Sequence, residues 1–347
     1  GTTHVSGLLE GEDVLATIAA FRAMGVYIDG PDEGRLVIHG AGLHGLQEPQ
    51  HDLDMGNSGT AMRLLSGLLS GQSFSTRLVG DKSLSARPMR RVVDPLSEMG
   101  AKISTAEGGT PPLQIEPADS LHAIKYQMPM ASAQVKSCLL LAGLYAEGKT
   151  CVSEPAPTRD HTERMLRGFG YPVASDGARV CLEPGFRLAA TDMMVPGDIS
   201  SAAFFIVGAT ISPDTRVEIK NVGINPTRTG ILLILNQMGA DIELKNERTI
   251  GGEPVADLVV QSAPLHGIHI DKEHVPLAIE EFPAILVAAA CASGETVLSG
   301  AEELRVKESD RIAAMARGLT DIGVEVTETP DGMRVLGGKI HGGSVDS

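Results

Sequence analysis

Five times along this chain a helix-like stretch stops at a glycine and a strand-like stretch follows. The places are MGVYI at Gly25, MGAKI at Gly100, GYPV at Gly170, MGADIEL at Gly239 and IGVEV at Gly323. Glycine accepts the left-handed backbone that closes a helix, so it marks helix ends. Successive marks lie 69 to 84 residues apart, a period long enough for a subdomain rather than a thin solenoid layer. Within each period the order recurs. A small or hydroxyl residue opens an apolar helix, as in NSGTAMRLLSGLLSG, SAQVKSCLLLAGLYAEG, DISSAAFFIVGATISP and IEEFPAILVAAACASG. A β-rich stretch comes next (STRLVG, TCVSEP, TRVEIKNV, TVLSGA). A second helix then runs to the marker glycine (RPMRRVVDPLSEMG, RDHTERMLRGFG, NPTRTGILLILNQMG, VKESDRIAAMARGLTDIG), and strands close the unit. The pattern predicts an α/β (α+β) fold of repeated two-helix, multi-strand units. GTTHVSGLLEGED at the start matches the middle of such a unit, and GGKIHGGSVDS at the end finishes one. Truncation at both ends is therefore expected, the alternative being a natively short first unit.

Composition narrows the class of partner. The net charge is -15, with no Trp, four Tyr and seven Phe. Such acidity, with so few rings for bases to stack on, argues against nucleic acid and anionic membranes as main partners. A small anion held by a few converging Arg and Lys stays open. None of Cys138, Cys151, Cys181 and Cys291 forms C-x-x-C or a zinc-like cluster. Cys138 and Cys291 sit in apolar helical stretches and are expected in the core, and a reducing, cytoplasmic setting is expected. No signal peptide opens the chain, and its longest apolar run, near Phe282–Ala292, is too short to span a bilayer.

Several helix starts carry residues suited to anions. GNSGTAMR puts Asn, Ser, Gly and Thr where free backbone N–H groups and the helix dipole favour negative charge, and Gly59 admits a ligand close to the backbone. Ordinary N-capping is the plainer reading. SAQVKS repeats the form and adds the Gln134 amide. PGDISS has acidic Asp198 as its cap and is read as structural. GDKSLSARP carries Lys82 and Arg87 on a loop, with Pro88 suited to a first helical turn and holding Arg87 extended. RDHTE sets Arg159 at a helix start, unfavourable with the dipole unless an anion is bound; His161 reads as easily as a surface histidine. AIEEFP opens an apolar helix with Glu280 and Glu281, either as first-turn acids or as a carboxylate able to move protons. ELRVKESDR has six charges in nine residues. On helical spacing Lys307 and Arg311 share a face, and a solvated ion-paired surface is the alternative.

Taken in order, GNSGTAMR, RPMRR, SAQVKS, RDHTE, PGDISSAAFF, NPTR and ELRVKESDR resemble the 5-enolpyruvylshikimate-3-phosphate (EPSP) synthases over essentially the whole chain. The resemblance implies two domains, each an inside-out α/β barrel of three units about a pseudo-threefold axis. They are expected here as residues 1–195 (lower) and 196–347 (upper). It implies enolpyruvyl transfer from phosphoenolpyruvate to shikimate 3-phosphate with phosphate release, and no metal or cofactor. Carried over residue by residue, Ser132, Ala133, Gln134, Arg159, Glu280 and Lys307 would hold shikimate 3-phosphate. Gly59, Arg87, Gln134, Glu308 and Arg311 would hold phosphoenolpyruvate. Lys307 and Glu308 would flank the reacting carbons, Glu308 giving a proton to the methylene, and Glu280 would act on the 5-hydroxyl proton. Arg305 and Asp310 are expected to be structural.

The sequence departs from the family pattern in three places. A Lys-Ser-x-x-x-Arg motif would fall before residue 1, an Asp-His-Arg motif and a late Lys after residue 347, and Glu280 stands where the family usually has Asp. A catalytic group moved by about 1 Å loses roughly 10²-fold in rate. Weak or no turnover by the chain alone is therefore expected, as for one part of a split or multifunctional enzyme completed by another fragment. GDKS, SAQVK, RDHTE and NPTR resemble the class II subset, some of whose members tolerate glyphosate, although Gly59 is not the Ala that tolerant forms often carry. The UDP-N-acetylglucosamine enolpyruvyl transferases share the fold and are the nearest rival, but GDKSLSARP lacks their reactive Cys.

Overall fold

The computed structural model describes residues 1–306 and 309–345. The chain divides into two compact units, Gly1–Val195 and Pro196–Ser347. In the first unit, β1 (Thr2–Ser6), α1 (Glu12–Ala23), β2 (Tyr27–Asp32) and β3 (Arg35–His39) begin the first sheet, β3 lying antiparallel between β1 and β2. The second group is β4 (Leu53–Asp54), α2 (Gly59–Leu69), β5 (Thr76–Val79), α3 (Arg90–Glu98), β6 (Lys102–Ser104) and β7 (Leu113–Glu116). The third is β8 (Lys125–Gln127), α4 (Ala133–Gly143), β9 (Thr150–Ser153), α5 (His161–Gly168), β10 (Val173–Asp176) and β11 (Arg179–Leu182).

Both groups follow one plan. A short strand leads into an apolar helix, which returns the chain to a parallel neighbour, β4 to β5 and β8 to β9. Parallel neighbours require such a crossover. A second helix then delivers an antiparallel pair, and β12 (Met193–Met194) comes back to lie parallel to β1. The second unit repeats the plan with α6 (Ile199–Ile211), β13 (Arg216–Gly223), α7 (Gly230–Gln237), β14 (Asp241–Ile250) and β15 (Glu253–Gln261). It then runs through α8 (Phe282–Cys291), β16 (Gly294–Leu298), α9 (Arg311–Asp321), β17 (Glu325–Thr329) and β18 (Gly332–Gly337). The marker glycines Gly25, Gly100, Gly170, Gly239 and Gly323 have φ between 79° and 97°, the left-handed geometry that stops a helix.

In the first unit Met62, Leu65 and Leu69 of α2 bury against Val135, Cys138 and Leu139 of α4. A side chain at Gly67 would put its first carbon 2.0 Å from the Cys138 carbonyl oxygen. Only glycine allows α2 and α4 this close, and their closeness brings the start of α2 beside the start of α4. In the second unit Ile206, Ile231, Leu235, Phe282 and Ile285 share one core, while Phe204 and Phe205 of α6 are exposed. No helix among the described residues is long and apolar enough to cross a membrane.

Four local expectations are corrected. Pro88 precedes the α3 helix, which is capped at Met89 and starts at Arg90, although Arg87 is extended as expected, with ψ 139°. ELRVKESDR is not one helix: a 3₁₀ turn covers Glu302–Arg305, and Asp310, with ψ 92°, caps a helix that starts at Arg311. Lys307 and Glu308 lie outside the described residues. Cys291 is exposed rather than in the core, whereas Cys138 is buried. Cys151 and Cys181, opposite one another on β9 and β11, form a disulfide that the sequence reading did not include.

Candidate functional site

Each unit assembles its own polar cluster. In the first unit, the Ser58 hydroxyl caps α2 by accepting from the Ala61 N–H at 3.2 Å. The plain capping role is thus real, and the next residue carries the rest. A methyl group at Gly59 would lie 3.1 Å from Arg87 Nη1 and 3.7 Å from Arg63 Nη1. Two guanidinium groups therefore close over a helix start whose dipole already favours an anion. Arg87 Nη2 donates to the Asn57 Oδ1 at 2.5 Å, and Asn57 Nδ2 donates to Asp81 at 2.7 Å. That amide bond, with one from the Leu84 backbone, holds the Asp81 carboxyl below the ordinary carboxylate range.

Arg63 was missed by sequence reasoning, though it sits in GNSGTAMR one helical turn from Gly59 and on its face. Its Nη1 donates to Gln134 Oε1 at 2.5 Å and its Nη2 to the Pro88 carbonyl at 3.3 Å, while Gln134 Nε2 donates to Thr60 Oγ1 at 2.8 Å. Arg63 Nε is buried without a hydrogen-bond partner. Burial first, then the neighbouring Arg91 and Arg87, brings the Arg63 guanidinium down to about 10, so it stays charged in neutral solution. Both cations over Gly59 are held by amide and carbonyl oxygens, and Asp81 acts on Arg87 only through its field from behind Asn57. Gly59, Arg87 and Gln134 are thereby brought into one cluster. Ser132 caps α4 through the Val135 N–H at 3.4 Å, and Ala133 and Gln134 form the first turn. Arg159 lies just before the α5 cap residue Asp160, half-buried.

In the second unit Glu280 and Arg311 meet. Arg311 Nη1 donates to Glu280 Oε2 at 2.7 Å, both side chains being partly exposed. Neither Glu280 nor Glu281 lies in the first turn of α8, and neither caps it through its side chain. The reading of these two as ordinary first-turn acids therefore does not hold. Arg311 stands at the start of α9 against the dipole, and the Glu280 carboxylate offsets this. Arg305 binds Asp310 at 2.8 Å, Glu328 at 3.3 Å and the Thr329 and Pro330 carbonyls, and Asp310 caps α9 through the Ala313 N–H. Both are structural here.

A further group escaped sequence reasoning. Arg228, from NPTR, donates to Asp198 and to Ser200 Oγ, each at 2.6 Å, and the Ser200 hydroxyl donates to buried Glu281. Asp198 caps α6 through the Ser201 N–H at 3.0 Å, as its sequence suggests. Burial pushes its carboxyl up, but Arg228 and the Ser201 hydrogen bonds outweigh burial and leave it lowered. Among the described residues, Asp271, Glu273 and His274 bring three metal-ligand atoms within 4.8 Å of one another on a largely exposed 3₁₀ turn.

A model of the EPSP synthase (3-phosphoshikimate 1-carboxyvinyltransferase) family matches residues 1–347. The chain belongs to the EPSP synthase family. The 3-phosphoshikimate 1-carboxyvinyltransferase of Methylococcus capsulatus is 67% identical over 347 residues, which are 100% of this chain and 79% of the relative. The protein of that name from Alkalilimnicola ehrlichii is 64% identical over 99% of this chain and 77% of its own length. The EPSP synthase structure from Acinetobacter baumannii superposes with a TM-score of 0.91 at 59% identity, covering 97% of this chain and 76% of the other. The α/β fold expected from the repeat is thus the EPSP synthase fold, and the comparison favours this family over the UDP-N-acetylglucosamine transferases. The first cluster lies on GNSGTAMR, GDKSLSARP and SAQVKS, the second on AIEEFP and at Arg311.

Proposed function

We propose that this chain transfers the enolpyruvyl group of phosphoenolpyruvate to the 5-hydroxyl of shikimate 3-phosphate. The observation that carries the reading is the Arg87–Arg63 pair over Gly59, both held by neutral amide and carbonyl oxygens. The names of its family and relatives support the same chemistry. On this reading Gly59, Arg87, Gln134 and Arg311 take the anionic groups of phosphoenolpyruvate, with Arg63 holding Gln134 in place. Ser132, Ala133, Gln134 and Arg159 take the phosphorylated acceptor. Glu280, steered by Arg311, removes the 5-hydroxyl proton. Lys307 and Glu308 serve the reacting carbons, Glu308 by giving the methylene a proton.

The 5-oxygen bonds to the enol carbon as the methylene gains that proton. Loss of a proton from the resulting methyl group, and of phosphate, then restores the double bond. The balance needs no electrons from outside, so no redox cofactor enters. Fixed donors at the site act where charge develops. Glyphosate, a phosphonate with a carboxylate, suits the same cations and is proposed as an inhibitor. We also place the reaction in the cytoplasm, where both substrates are expected. A complementing fragment is the remaining proposed partner.

Phosphate release by the purified chain tests the reading. Release is expected to be slow, given the departures from the family pattern, and to require both shikimate 3-phosphate and phosphoenolpyruvate. Release with UDP-N-acetylglucosamine as acceptor instead would refute it.

A further inference from the structure

Lys136 is the largest of the fully buried side chains, 1% exposed, in a helix whose next residues inward are Cys138, Leu139 and Leu140. An ammonium group there is costly unless its charge is met, and a carboxylate left alone there is equally costly. Two carboxylates meet it. Lys136 Nζ donates to Glu154 Oε1 at 2.9 Å and lies 2.9 Å from Glu163 Oε1 as an ion pair, neither buried Glu163 oxygen having a hydrogen-bond partner among the described residues. Glu154 follows β9 directly, and Glu163 is in the first turn of α5. One nitrogen on α4 therefore holds both ends of the segment 154–163.

The same segment has two more ties. The Glu154 carboxylate accepts from the Thr158 hydroxyl and, at 3.4 Å, from the Thr158 backbone N–H. The Thr162 hydroxyl donates to Ser137 Oγ of α4 at 2.7 Å. Between these fixed points stands Arg159. Lys136 is also one helical turn from Ser132, whose carbonyl accepts its backbone N–H at 3.1 Å. The helix start bearing Ser132 and Gln134 and the loop bearing Arg159 are thus locked through one buried ammonium.

We propose that Lys136 is a positioning residue that sets Arg159 against the Ser132–Gln134 helix start, so that both grip one phosphorylated acceptor. The proposal rests on the reading of those residues as the shikimate 3-phosphate subsite. Apolar side chains would fill the same space without aiming the loop. Two carboxylates that must point at one nitrogen fix its direction.

The test compares the unaltered chain with K136M, T158V, R159A and K136M/R159A. Hydrogen exchange of the segment 155–160 reads the loop without any ligand, and calorimetry with shikimate 3-phosphate reads the grip. K136M should speed exchange in that segment. It should also weaken shikimate 3-phosphate by about 10-fold or more, the scale of losing one hydrogen bond to a charged group. Glyphosate, which reads the other subsite, should be little affected. In the R159A background K136M should weaken affinity no further, because residues acting through one another are not additive. T158V should show the same pattern more weakly, and it decides the matter if K136M does not fold. Unchanged exchange in 155–160, or losses that multiply in the double variant, would overturn the proposal. Failure of the unaltered chain to bind shikimate 3-phosphate counts against the functional reading alone, and loop exchange still decides the role of Lys136.

Discussion

Gly59→Ala separates binding from folding. The added carbon would sit 3.1 Å from Arg87 Nη1, 3.7 Å from Arg63 Nη1 and 3.7 Å from Leu84 Cδ1. The last two are ordinary contacts. The first requires Arg87 to give by a few tenths of an ångström, and the end of a long side chain can do so. Gly59 has no positive φ and is the first residue of α2, so Ala fits the backbone. Ala gains up to about 0.5–1 kcal/mol over Gly in a helix. Folding should therefore be unharmed, with Tm level or slightly raised.

Binding should suffer, because the methyl group occupies the space beneath both guanidiniums and shifts Arg87 by a few tenths of an ångström. Loss of one hydrogen bond to a charged group costs about 1.5–3 kcal/mol, or roughly 10- to 150-fold in affinity at about 1.4 kcal/mol per tenfold. Phosphate release, measured with each substrate varied in turn, should show the KM for phosphoenolpyruvate rising by about that factor. The KM for shikimate 3-phosphate should hold, and glyphosate should inhibit less well. An unchanged phosphoenolpyruvate KM in a folded variant, or equal loss for both substrates, would refute the assignment of the Gly59 cluster.

Glu280→Gln keeps an oxygen for Arg311 but removes the base, so kcat should fall by roughly 10²- to 10⁴-fold with little change in KM; undiminished kcat would show that Glu280 moves no proton. Asp257 is held by the Asn221 N–H and the Asn246 amide, both at 2.9 Å, and by Lys220 at 3.4 Å, which bring its carboxyl down to about 2. Because the folded value is lowered, its stabilisation is present above the unfolded value of about 3.9 and is lost as pH falls toward the folded one. Urea midpoints of the parent and Asp257→Asn should therefore differ at neutral pH and converge through that acid window; a gap that persists below it would mean the charge is not responsible. Burial pushes the Cys138 thiol up to about 12, while Cys291 is exposed. Iodoacetamide should label Cys291 alone in the native unreduced chain, as peptide mass spectrometry will show, and equal labelling of Cys138 would contradict its burial.

The repeat was legible because its marks are local. A left-handed glycine after a helix is dictated by backbone sterics within one turn of chain, and each of the five marker glycines adopts it. Helix starts were read less well. Pro88 and the acids at 280 and 281 have first-turn chemistry, yet α3 and α8 begin beyond them. The loops before those helices use the same residues for reach rather than for capping. The pairing of Cys151 with Cys181 depends on strand register, which no spacing in the sequence states.

For the site, motifs located the residues that would touch substrate, but not the residues that hold them. Arg63 and Lys136 lie inside GNSGTAMR and SAQVKS and carry ordinary helical spacing, so their sequence signal is that of any charged residue on a helix. Their partners, Gln134 for one and Glu154 and Glu163 for the other, come from elsewhere in the chain. The contact between α2 and α4 at Gly67 makes the first pairing geometric rather than sequential. The Glu280–Arg311 pair completes the same lesson. Arg311 alone opposes the dipole of α9, and Glu280 alone is a partly exposed acid; joined at 2.7 Å they give a carboxylate of fixed direction. One methylene more than Asp lets Glu280 reach that guanidinium from before α8. Against the expectation drawn from the family's usual Asp, Glu280→Asp should therefore cost kcat by loosening the pair, and an Asp variant as fast as the parent would show that Arg311 does not aim the base.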